Sequence, residues 1–84
     1  MVNTPYLEER IRLSGKKKQY LADKIGCSRQ YLMMKVRNKA EFNLKEVGIL
    51  CYELGIVTIK EKDAIFFARD VTNNGDNKKR KEGA

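Results

Sequence analysis

Residues 29–37 hold Arg29, Gln30, Met33, Met34 and Arg37, and no acid interrupts them. These side chains share one kind of chemistry. An arginine can grip guanine O6 and N7 with two bonds, and a glutamine can do the same to adenine N6 and N7. Flexible thioethers can lie against thymine methyls. Each bidentate pairing contributes roughly 1–3 kcal/mol of discrimination between bases. Around this set stand Lys17, Lys18, Ser28, Tyr31, Arg37, Asn38 and Lys39. Cations, hydroxyls and an amide of this kind suit phosphate oxygens, contacts that position a protein without reading sequence.

Bond-making chemistry has little to work with. The chain has no histidine for acid–base work. Its glycines form no phosphate-cradling loop, and its carboxylates are scattered among capping and surface positions. Catalysis is therefore not expected, nor is a small-molecule substrate or a cofactor. Cys27 and Cys51 belong to no CxxC pair, so no zinc site is expected. Both stand where an apolar residue would otherwise belong and read as buried thiols.

The base-edge set needs a rigid mount, and the residues before it supply one. Leu21, Ala22 and Ile25 fall on one face of a helix predicted over 17–25. Gly26 allows the turn, Cys27 fills a small apolar slot, and Ser28 caps a second helix over 29–36. Leu32 and Val36 bury the inner face of that helix, and by spacing Met33 is the more outward of the two methionines. Ala22 is small where the helices would touch, as the steep crossing of a helix-turn-helix unit requires.

Three more helices are predicted around this pair. Thr4–Pro5 reads as an N-cap with proline at the first helical position, Leu7 and Ile11 as the inner edge, and Gly15 as the stop. Asn43 with Glu46 forms a capping box for a fourth helix, whose stripe is Leu44, Val47, Leu50, Cys51 and Leu54. Gly48 lies inside it, where it costs about 1 kcal/mol against alanine. Thr58 and Glu61 form a second capping box for a fifth helix over 59–71. Phe42 is expected in the core. Ile59, Ile65, Phe66, Phe67, Ala68 and Val71 wrap more than one face of the fifth helix, while Ile49 and Tyr52 lie off the stripe of the fourth. That surplus either buries within the monomer or forms a twofold homodimer through helices 4 and 5.

This arrangement resembles the phage repressor and Cro family of helix-turn-helix DNA-binding proteins, the lambda-repressor-like domains. The matching residues are Leu21-Ala22, Ile25-Gly26, Ser28-Arg29, Leu32 and Val36, then Phe42, Leu44, Leu54 and Gly55. The resemblance runs from Tyr6 to Val71. It is nearest to small phage-type regulators that end in an apolar run such as Ile65-Phe66-Phe67-Ala68. It implies an all-α, five-helix bundle that places its third helix in the major groove of an operator. Relatives often carry an apolar residue where this chain has Lys16. They often carry a phosphate-touching, bracing glutamine where it has Lys18, and a glycine near Asn38.

Charge distribution points the same way. Residues 16–39 carry eight cations against Asp23 alone, whereas residues 40–71 carry four cations against six acids. A concentrated positive region on a near-neutral body is the footprint of a polyanion binder. With 84 residues the chain is long enough for one domain, read as 1–71, followed by a flexible basic tail over 72–84 that reads as disordered. No apolar run is long enough for a membrane span and no leader pattern opens the chain, so the expected setting is the cytoplasm of a bacterial host, at the nucleoid.

The expected function is sequence-specific binding of double-stranded DNA in transcription regulation, as a Cro-type phage or prophage repressor. The alternative is a protein-interaction module, of antitoxin or anti-repressor type, that keeps the fold. RNA binding fits less well, because the basic stretch lacks interleaved aromatics that stack on single-stranded bases.

Overall fold

The inner face of every helix is largely apolar, and one contiguous core results. Leu7, Leu21, Leu32, Val36, Leu50 and Ile65 are fully buried, so each helix contributes at least one of them. The computed structural model describes residues 1–68. Five helices run α1 Thr4–Ser14, α2 Lys18–Ile25, α3 Arg29–Val36, α4 Leu44–Leu54 and α5 Ile59–Phe66, and no strand occurs among the described residues. The all-α expectation holds. The tail over 72–84 lies outside the described residues.

α2 and α3 pack on each other, and α4 packs across α2. Their junction is short: Gly26 takes φ 85, a left-handed conformation open to glycine, and its N–H closes on the Ala22 carbonyl at 2.9 Å. Ser28 then caps α3, its Oγ accepting from the Tyr31 N–H at 3.0 Å. Asn43 and Glu46 form the expected capping box on α4, satisfying each other's free amides.

Several expectations are corrected. The N-cap of α1 is Asn3, not Thr4, and Pro5 sits in the first turn behind it. The Thr4 hydroxyl is used elsewhere, donating to the Val36 carbonyl at 2.6 Å. The box at α5 is half formed. Thr58 accepts from the Glu61 N–H, but the Glu61 carboxylate turns to Arg10 and Tyr6 instead. α5 ends at Phe66 rather than at 71, and the Ile65 carbonyl, which a continuing helix would keep for its own ladder, accepts the Asn3 N–H at 2.7 Å. Leu44 falls outside the α4 stripe and is exposed, as is Ile59 on α5. Phe66 is buried edge-on against Phe42, while Phe67 remains half exposed. Nothing approaches Gly48: a Cβ built there meets open space.

Two polar clamps hold the helices in register. Arg10 of α1 donates to Glu61 of α5 and to the Leu54 carbonyl at the end of α4, both at 2.7 Å. Lys16 donates to the Glu53 carboxylate and to its main-chain carbonyl, both at 2.8 Å, and Tyr20 adds a bond to the same carboxylate. The Lys16 bond, with help from Tyr20 and against partial burial, holds the Glu53 carboxyl below its ordinary value.

Candidate nucleic-acid interface

The inner arc of α3 runs Lys35, Leu32, Val36, Met33, and these four are buried. Met33 lies about 60° around the helix from Val36, close enough to share its face. The expected order of the methionines is therefore reversed: Met33 is 9% exposed and Met34 is 40% exposed. Met33 forms part of the floor of a shallow cleft between α2 and α3. Its walls carry Lys18, Gln19, Arg29, Gln30 and Arg37.

Arg29 and Gln30 occupy the first turn of α3 and are exposed. Ser28, immediately before them, is exposed and holds the helix start, its Oγ accepting the Tyr31 N–H. Tyr31 is about half exposed, and the Lys35 ammonium lies 4.9 Å from its ring centre. Arg37 and Lys39 are exposed just past α3, and Lys17 is exposed just before α2. The structure thus gathers Lys18, Arg29, Gln30 and Arg37 around one cleft, with Met34, Tyr31, Lys17 and Lys39 outside it.

Asn38, expected at a phosphate, is exposed and has an internal partner. Its backbone takes φ 63, and its side-chain amide pairs with the backbone of Val2 in both directions.

The positive charge is distributed more sparingly than the sequence implies. Lys35 is buried and paired with Glu46, Lys16 is paired with Glu53, and Lys18 lies 3.5 Å from Glu8. Lys17, Lys24, Arg29, Arg37 and Lys39 have no carboxylate within ion-pair distance among the described residues. Within residues 16–39 these five form the exposed, unpaired cationic set, and Lys45 and Lys60 on α4 and α5 are exposed and unpaired among the described residues as well. The Lys35–Glu46 pair was missed from sequence, although the i+3 spacing of Lys35 from Leu32 places it on the inner arc. Gln19 was also missed. It lines the cleft, and its amide donates to Asp23 at 2.8 Å.

Burial raises both thiols above their ordinary pKa, so Cys27, half-buried beside the turn, and Cys51, in the core, stay protonated near neutral pH. No group of side chains suited to hold a metal ion occurs among the described residues, and no helix there is long and apolar enough to cross a membrane.

Four apolar side chains stand exposed outside this cleft. Leu44, Tyr52, Val57 and Ile59 are each more than 70% exposed, and all four lie on α4, at the start of α5, or in the connection between them.

No protein family, curated protein or solved structure matches this chain.

Proposed function

We propose that the chain is a sequence-specific double-stranded DNA-binding regulator of transcription, of the Cro-type phage or prophage repressor class. In this reading α2 and α3 form a helix-turn-helix, and α3 enters the major groove of an operator. One observation carries it. The first turn of α3 presents Arg29 and Gln30 outward with no internal carboxylate on the arginine, beside a cleft that also carries Lys18 and Arg37. Arg29 and Gln30 read base edges, Met34 meets a thymine methyl, and Lys17, Arg37 and Lys39 hold phosphates, with Lys18 at the cleft edge. The protein works without a cofactor in the bacterial cytoplasm, and its action is occupancy rather than catalysis.

The exposed apolar residues of α4 and the α4–α5 connection support a twofold homodimer. Two copies of α3 would then sit about 34 Å apart, in successive major grooves of a near-palindromic site. The same surface favours the second reading, a partner-binding module of antitoxin or anti-repressor type.

Selection of binding sites from random duplexes, followed by binding over a range of salt, tests the proposal. The expected result is an enriched, roughly palindromic site. Affinity should fall steeply with salt, with a log–log slope of about −0.9 per phosphate contact. No enrichment together with salt-independent affinity would refute DNA reading. Charge reversal at Arg29 and Arg37 separates the two readings: it abolishes operator binding in the first and leaves the biological effect in the second.

A further inference from the structure

The N-terminal residues bond directly to the proposed phosphate-binding loop and to the end of α3. The Val2 N–H donates to Asn38 Oδ1 at 2.8 Å, and Asn38 Nδ2 donates back to the Val2 carbonyl at 2.9 Å. Two residues on, the Thr4 hydroxyl donates to the carbonyl of Val36, the last residue of α3, at 2.6 Å. Between them the Asn3 N–H is fastened to the Ile65 carbonyl near the end of α5. Val2 itself is buried.

The other end of this contact is a tight turn. Asn38 sits at φ 63, its N–H closes on the Lys35 carbonyl, and the Lys39 N–H closes on the Met34 carbonyl at 2.7 Å. Asparagine tolerates that left-handed conformation better than most residues with a Cβ. The turn leaves Arg37 and Lys39 exposed on either side of a residue whose own amide points back into the protein.

We propose that Val2–Thr4 is a strap that sets the position of the Arg37–Lys39 loop, and that Asn38 is a positioning residue for those two cations rather than a phosphate ligand. This rests on the DNA-binding reading above. Four uncharged residues, Val2, Asn3, Thr4 and Asn38, then govern an electrostatic contact in which they take no direct part. The strap also joins the end of α3 to the end of α5, so loosening it frees the loop without removing any charge from the surface.

Double-mutant cycles on the full chain test this. Asn38→Gly keeps the backbone conformation available and removes the amide. Thr4→Val removes the neighbouring bond while leaving residue 38 intact, and covers the case in which Asn38→Gly fails to fold. Each is measured alone and in an Arg37→Ala/Lys39→Ala background, against a mixed-sequence DNA duplex at low salt. Alone, each should weaken binding by about tenfold, the scale of one lost charge-assisted contact. In the charge-deleted background each should cost less than about twofold, because the cations it positions are gone. Equal losses in both backgrounds, or no loss in either, would overturn the proposal.

Hydrogen exchange supplies a readout independent of DNA. In Asn38→Gly the Val2 and Lys39 amides should exchange faster than in the parent chain. Unchanged exchange at both removes the strap. Absence of duplex binding by the parent chain, with faster exchange in the variant, removes the DNA reading and leaves the strap standing.

Discussion

Lys35 and Glu46 face each other across α3 and α4, the ammonium 2.6 Å from both carboxylate oxygens. Glu46 also accepts the Asn43 N–H that opens α4, so one carboxylate closes a helix cap and ties that helix to α3. The Lys35 ammonium lies 4.9 Å from the centre of the Tyr31 ring and 5.9 Å from that of Phe42. Burial alone would raise the Glu46 carboxyl. The Lys35 bonds and charge, with the Asn43 amide, outweigh it and hold the group below its ordinary value.

That arrangement has a pH signature. Because the folded value is depressed, the stabilisation is complete above the unfolded carboxylate pKa of about 4.3 and fades as pH falls through the lower folded value. Glu46→Gln leaves Lys35 buried without its counter-charge and should cost about 3 kcal/mol at neutral pH. Its penalty should shrink in acid. Urea unfolding at neutral pH and at pH ~3 measures both. A penalty that is the same at the two pH values would contradict the assignment.

The two methionines of α3 should part company. Met33→Ala empties part of the core edge and should destabilise the chain by about 2 kcal/mol, at the lower end for buried methionine. Met34→Ala should leave the melting temperature unchanged and alter only preference for thymine at one operator position. Thermal melts beside site selection decide it. Equal melting losses would place both side chains inside.

Gly48→Ala should stabilise the protein. The position is helical, its added methyl meets open space, and alanine gains roughly 1 kcal/mol over glycine inside a helix. The rise in melting temperature should be about 4–8 °C for a chain of this size. A fall would mean that another molecule approaches that face of α4.

Association between copies should depend on the exposed apolar surface. Tyr52→Glu and Val57→Asp remove no buried contact, since both side chains are more than 80% exposed. Each should shift a dimer to monomer in sedimentation while leaving unfolding of the monomer within about 0.5 kcal/mol of the parent. A monomeric parent chain would end this use of the surface.

What the sequence disclosed, and what it did not, divides along a physical line. Local rules placed α3 from Ser28 and Leu32, α4 from Asn43 and Glu46, and the turn from Gly26, because caps and glycine conformations are decided within a few residues. Met33 was placed outward, and the internal partners of Lys35 and Asn38 were missed, because these fates depend on residues far along the chain. Met33 and Lys35 stand at the two edges of the inner arc of α3, where small rotations of the helix decide burial. Lys35 looks like surface charge until Glu46 of α4 arrives beneath it. Asn38 looks like a loop amide until Val2 is brought to it. The end of α5 was overestimated for the same reason, since a carbonyl of its last turn, that of Ile65, is claimed by Asn3.

Arg10 reaches both the Leu54 carbonyl and the Glu61 carboxylate, and so spans the chain on either side of Val57. Both flanking helices are anchored to α1, and in the segment that joins them Ile56 is buried while Val57 is exposed. Extra residues spliced in beside Val57 should therefore be absorbed cheaply, at about 0.6 kcal/mol per doubling of the loop. That site is the natural place to graft a tag or a fluorophore, since a label there reports on neighbouring molecules while leaving the architecture intact.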